Sequence, residues 1–159
     1  MRQRRGYIAG MDKNASARQL VEAVTSRPGY TRSTGMRVVE VEPGRVHLAL
    51  DRRPDLLQFN GFFHGGVISG LADHAAGGAV TTALPPGRIG VTIDLHINFL
   101  APADGASIVA KAKAIQVGGT VCVATVEVVT LTGAEERACA FATVTLRSVE
   151  MPQQWASAP

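Results

Sequence analysis

The stretch His64–Leu84, HGGVISGLADHAAGGAVTTAL, decides how this chain folds. It is apolar or small throughout. Its one charged side chain, Asp73, stands near the middle beside a histidine, His74. Pro85-Pro86-Gly87 closes the run, because no helix continues through that sequence. At a rise of ~1.5 Å per residue the run predicts a helix roughly 30 Å long. So few polar positions predict a helix buried on most sides. Burying Asp73 in such a helix is costly unless it is paired, protonated or functional. Gly66, Ser69, Gly70, Gly77 and Val80 lie three, four or seven residues from Asp73 and share its helical face. That face is almost bare of side chains, so another backbone or a ligand can approach it closely. The run is also long enough to raise a membrane span. Asp73 and His74 at its centre, with glycines at 65, 66, 70, 77 and 78, argue against one.

Upstream, residues 1–13 carry no pattern. Asn14-Ala15-Ser16 predicts the start of a short helix running to about Ser26, with Leu20, Val21 and Val24 as its apolar stripe. Arg27-Pro28-Gly29 ends it. Met36, Val38 and Val41 mark a first strand. Pro43-Gly44 makes a turn, and Val46, Leu48 and Leu50 alternate with Arg45, His47 and Ala49 in a second strand. The segment 51–63, DRRPDLLQFNGFF, reads as a loop, yet it carries more apolar surface than a solvated loop needs. It is expected to pack over a core or a ligand channel.

Downstream the period changes to two. Thr92, Asp94, His96 and Asn98 alternate with Ile93, Leu95, Ile97 and Phe99, which predicts the first four on one face of a strand. For Asp94, His96 and Asn98 a metal trio is conceivable, and a polar row facing solvent or an interface is the simpler reading. Residues 106–117, 120–130 and 137–149 are three further strands, joined by short turns at Gly118-Gly119 and Thr132-Gly133-Ala134. Short connections mean an antiparallel meander. The fold class is therefore α+β: an antiparallel sheet of about six strands wrapped around one long central helix, with a short N-terminal helix. Residues 1–29 form an N-terminal extension, 30–150 the domain and 151–159 a tail without pattern. There is no internal repeat, no βαβ alternation and no phosphate-binding loop.

The chain has 159 residues, of which 46% are hydrophobic and 18% charged, enough for one domain with a real core. The formal net charge is +3, and Arg2, Arg4 and Arg5 alone account for it, so no nucleic-acid partner is indicated. No apolar run follows Arg5, so no export signal is read and a cytoplasmic location is expected. Cys122 and Cys139 lie in strand-like runs outside any C-x-x-C pair and read as small core residues.

Taken together, His64-Gly65-Gly66, an Asp nine residues after the His, the segment Asn98–Ala103 and the Gly-Gly-Thr turn at 118–120 resemble the hotdog-fold thioesterases. The nearest group is the phenylacetic-acid-degradation type, and the resemblance covers about residues 34–147. It implies an acyl-CoA thioesterase that works as a homodimer or homotetramer, needs no metal or redox cofactor, and meets coenzyme A only as part of its substrate. By the same resemblance, His64 and the N–H of Gly65 polarise the thioester carbonyl. Asp73 from the neighbouring protomer serves as nucleophile or general base, and Thr92 orients it or the water. Gln58 stands where many members have Asn. Asn60, Phe63, Gly66, Gly119 and Thr120 are expected at the substrate. Gly119 replaces a basic residue common in relatives, which leaves Arg88, Lys111, Lys113 and Arg147 as candidates for the phosphates of coenzyme A.

The chemistry agrees on its own terms. The first N–H groups of a helix lack internal partners, and its dipole favours negative charge there. An attacked thioester develops an oxyanion, for which an unshielded glycine N–H is a natural donor. The same helix end favours a neutral His64 imidazole. His64 and Asp73 are about 13 Å apart along one helix, so a second, antiparallel protomer is needed to bring Asp73 to Gly65. A hotdog-fold hydratase or dehydratase and a non-catalytic acyl-CoA-binding module are the alternatives. The first needs an acid–base pair across the acyl C2–C3 bond rather than a His opening a Gly-Gly turn.

Overall fold

The structure, a computed structural model, describes residues 13–152, with side chains from Ala15 onward. Of the patternless ends expected at 1–13 and 151–159, residues 1–12 and 153–159 lie outside the described ones, and Lys13 is already helical. In chain order the elements are α1 (Lys13–Thr25), α2 (Tyr30–Thr34), β1 (Arg37–Glu42), β2 (Arg45–Asp51), a single 3-10 turn (Pro54–Leu56), α3 (Gly65–Ala83), β3 (Arg88–Phe99), β4 (Ser107–Val117), β5 (Val121–Thr132) and β6 (Glu135–Glu150). The six strands form one sheet in the order β1-β2-β4-β5-β6-β3. Every pair is antiparallel. The expected architecture of a sheet around one helix is therefore present. Among the described residues no helix is long and apolar enough to cross a membrane.

The sheet curls around α3 because both present matching small and branched side chains. Leu71, Ala72, Ala75, Ala76, Ala79 and Val80 of α3 are fully buried. They meet the inward row of each strand, including Leu48 of β2, Ala110 of β4, Val126 of β5 and Val144 of β6. The alternating burial along β5 and β6 is the pattern of a sheet with one covered face. Backbones come close where side chains are absent. A Cβ at Gly90 would stand 2.8 Å from Val80 Cγ1, and one at Gly78 would stand 3.3 Å from Val46 Cγ1.

Three features depart from simple periodicity. Helix α2 was not expected. It has five residues, too few to show an apolar stripe, and Gly35 closes it in the left-handed region at φ 78°. In β3 the register slips between Thr92 and Asp94: Thr92 pairs with Leu146, and Asp94 pairs with Thr145. A bulge at Ile93 inserts one residue and switches the face. Thr92 consequently joins the inward row with Leu95 and Ile97, while Asp94, His96 and Asn98 face outward. Asp94, His96 and Asn98 form the exposed polar row read on this strand, and the bulge takes Thr92 out of it. Finally, the 51–63 loop is tied down by arginines. Arg52 donates to the carbonyls of Asp104 at 3.0 Å and Gly105 at 3.2 Å, and also to that of Gly61. Arg53 reaches Ser33 O at 3.1 Å and pairs with Asp55. Leu56 and Phe63 anchor this loop in the core, but Phe59 is fully exposed at its tip.

Candidate active site

The groups singled out in the sequence fall into two clusters on one chain. The first surrounds the start of α3. His64 is its N-cap, with extended backbone at φ −67°, ψ 138°. Its ring Nδ1 accepts the Gly66 N–H at 2.9 Å. A ring that accepts at Nδ1 carries its hydrogen on Nε2, which leaves that N–H as a donor. The next free amide is the important one. Gly65 N–H has no hydrogen-bond partner among the described residues, whereas the N–H groups of Val67 and Ile68 both return to His64 O. A free N–H at the positive end of a helix, beside an imidazole N–H, is a pair of donors suited to a developing oxyanion. Phe99 covers it: a Cβ on Gly65 would meet the Phe99 ring at 3.2 Å. Glycine fits beneath the ring without displacing it.

The loop before α3 supplies the rest of this cluster. Leu57 bridges Phe63, and the backbone of Gln58 closes the turn through Phe62 O at 2.8 Å and Gly61 N at 2.9 Å. The Gln58 amide side chain has no hydrogen-bond partner among the described residues. Asn60 instead caps the turn tip, accepting from Phe62 N at 3.4 Å. Phe63, expected at the substrate, is a core residue 1% exposed, with its N–H on Ala103 O and the Arg52 guanidinium over its ring.

The second cluster lies midway along α3. Asp73 Oδ1 accepts from Thr92 Oγ1 at 2.7 Å. The β3 bulge makes this bond possible, because an unbulged strand with Thr92 in the row of Asp94 turns the hydroxyl away. Tyr30 of α2 stands over Gly70, one helical turn before Asp73. Burial, and after it the Asp73 charge, raise the Tyr30 phenol above its ordinary range. His74 faces elsewhere and binds Thr25 at 3.0 Å, tying α1 to α3. Burial pushes the His74 ring down, opposed by Asp73. It is a structural residue, as its different face suggested.

Tyr30 and Phe99 are the site residues missed in the sequence. Phe99 belongs to a regular strand pattern, and Tyr30 to a helix too short to recognise. The only signal was the bareness of Gly65 and Gly70, which says that something approaches without saying what. Gly119 has open space around it, and Thr120 O accepts from Ser148 N at 2.9 Å. This turn lies at the far end of the sheet from His64, on the side of Thr92. Of the four basic candidates, Arg88 is engaged with Ser148 at 2.7 Å and Lys111 with Glu136. Lys113 and Arg147 are exposed and carry no ion pair among the described residues.

The profile of the thioesterase superfamily matches residues 60–136, which contain His64, Gly65, Asp73, Thr92 and Phe99 but not Leu57, Gln58 or Tyr30. A candidate esterase of Halobacterium salinarum is 34% identical over 128 residues, 77% of this chain and 83% of that protein. The chain belongs to the thioesterase superfamily. The crystal structure of a thioesterase family protein from Silicibacter pomeroyi superimposes on this thioesterase-superfamily chain with a TM-score of 0.81 at 31% identity. That match covers 85% of this chain and 99% of the other. The 1,4-dihydroxy-2-naphthoyl-CoA hydrolase of Listeria monocytogenes is 31% identical over 90 residues, 57% of this superfamily member and 73% of the hydrolase. The hotdog fold implied by the resemblance is thus the fold observed.

Proposed function

We propose that the chain is an acyl-CoA thioester hydrolase whose active site is shared between two protomers. The observation that carries the reading is the free Gly65 N–H beside the His64 Nε2–H at the start of α3, with the Thr92-oriented Asp73 about 12 Å further along the same helix. Neither cluster reaches the other within one chain. The long edge strand β3 supports pairing with a second copy. Val91, Ile93, Phe99 and Leu100 on or beside it are all between 46% and 61% exposed, and an unpaired apolar edge is a surface that proteins cover. Antiparallel pairing along β3 sets Asp73 of one protomer opposite Gly65 of its partner.

In this arrangement the thioester carbonyl accepts from Gly65 N–H and His64 Nε2–H. Asp73 adds to the carbonyl carbon itself or takes a proton from the water that adds. Either way the tetrahedral oxyanion is held at the helix end, and the C–S bond then breaks. Coenzyme A leaves as thiolate and takes up a proton. Where Asp73 was the nucleophile the acyl group is left on its carboxylate as an anhydride, which a water molecule then hydrolyses; where water added directly, the acid is formed at once. The Listeria relative, named as hydrolysing an aromatic acyl-CoA, supports this substrate class. Thiol release should be assayed across acyl-CoA substrates, including phenylacetyl-CoA and benzoyl-CoA. Turnover that releases thiol from at least one, and is lost in Asp73→Ala, is the expected result. An enoyl-thioester product, or tight binding without thiol release, refutes it.

A further inference from the structure

The bare face of α3 is not equally open on both sides of Asp73. Toward the helix C-terminus Gly77 has nothing within 4 Å. Toward the N-terminus the Tyr30 ring lies on Gly70, so that a methyl group built there would stand 2.8 Å from ring atoms Cε1 and Cζ, and closer still to the hydroxyl. The ring is held in place from below. It belongs to α2, which is bounded by Gly29 and Gly35 at positive φ and fastened through Ser33 O to Arg53. Nothing ties the phenol itself down: its hydroxyl has no hydrogen-bond partner among the described residues, and the side chain is half exposed. Gly70 lies three residues before Asp73 on the same helical face, so the phenol over Gly70 and the Asp73 carboxylate are neighbours along that face.

We infer that Tyr30 limits the bulk of the acyl group accepted next to Asp73, acting as the stop at one end of the small-residue face of α3. This rests on the thioester reading above. An acyl group whose thioester carbon lies within reach of Asp73 extends along that face, and on the Gly70 side it meets the phenol within one helical turn. Tyr30 is thereby a specificity residue for this site. Its aromatic bulk, and not its hydroxyl, does the sorting.

Binding of unhydrolysable S-alkyl thioethers of coenzyme A separates this inference from catalysis. Calorimetry with S-ethyl- and S-octyl-coenzyme A gives an affinity ratio for each variant. A single methylene in an apolar pocket discriminates by ~10-fold or more, so Tyr30→Ala should shift the ratio toward the octyl compound by at least about tenfold. Tyr30→Phe should keep the wild-type ratio. Tyr30→Val keeps a branched apolar side chain at the start of α2 while removing the ring from Gly70, and should shift the ratio in the same direction as Tyr30→Ala. It serves if Tyr30→Ala does not fold, as judged by circular dichroism. Wild type that binds neither thioether overturns the thioester reading and this inference with it. Wild type that binds, with the ratio unchanged in the folded variants, overturns only the role of Tyr30.

Discussion

A shared active site makes a quantitative prediction for mixtures of two inactive variants. Gly65→Pro removes the free amide, and loss of one oxyanion donor costs about 10²–10³ in rate. The fold should tolerate the change. His64 already has the extended backbone that a residue before proline requires, and Gly65 N–H is lost from no internal bond. The new ring meets Phe99, with the glycine's Cβ position 3.2 Å from Cζ, but Phe99 is 54% exposed and free to give way. Asp73→Asn keeps an oxygen to accept from Thr92 while removing the base. Each homodimer then has two broken sites. In a mixed dimer, one site carries both lesions and the other carries none. After random exchange half the dimers are mixed and half their sites are intact, so activity should return to about a quarter of wild type, as expected of a two-fold symmetric assembly with independent sites. Thiol release is measured after subunit exchange has been verified by mass tagging. No recovery, with exchange proven, refutes the shared site, because a site built within one chain keeps one lesion in every copy.

The remaining expectations concern single residues. Thr92→Ala deletes the 2.7 Å bond to Asp73. A hydrogen bond to a charged group is worth about 1.5–3 kcal/mol, so kcat/KM should fall about 10- to 100-fold while Thr92→Ser retains most activity. An alanine variant within twofold of wild type removes Thr92 from the site. Burial holds the His74 ring below its ordinary imidazole range. Above about pH 6.5 the ring is neutral in both folded and unfolded chains. Below it the unfolded chain takes the proton first, so stability should fall as pH falls until the folded ring also protonates. Urea midpoints from roughly pH 5 to pH 8 should show that decline, flattened in His74→Gln; equal slopes refute it. Gly90→Ala places a methyl 2.8 Å from Val80 Cγ1 and 3.1 Å from Leu146 Cδ2. Overpacking of this kind costs about 1–3 kcal/mol, which equilibrium urea unfolding will register.

What the sequence determined by itself is local or one-dimensional. The apolar run from His64 to Pro85 could only be a long helix, and its rise alone separated His64 from Asp73. Period-two alternation marked the strands, because a sheet with one covered face needs it, and short Gly-rich turns made the sheet antiparallel. The roles expected of His64, Gly65, Asp73 and Thr92 were carried over from a resemblance, and the structure brings Thr92 to Asp73. Tertiary structure decided everything that depends on what stands opposite. The Ile93 bulge is a property of the β3–β6 pairing, and without it the spacing placed Thr92 on the wrong face. Phe63 reads as a loop aromatic until Arg52 and the core close around it. Tyr30 and Phe99 are distant in the chain from the glycines they cover. A glycine announces only that something approaches; which side chain fills the space is settled when distant elements pack.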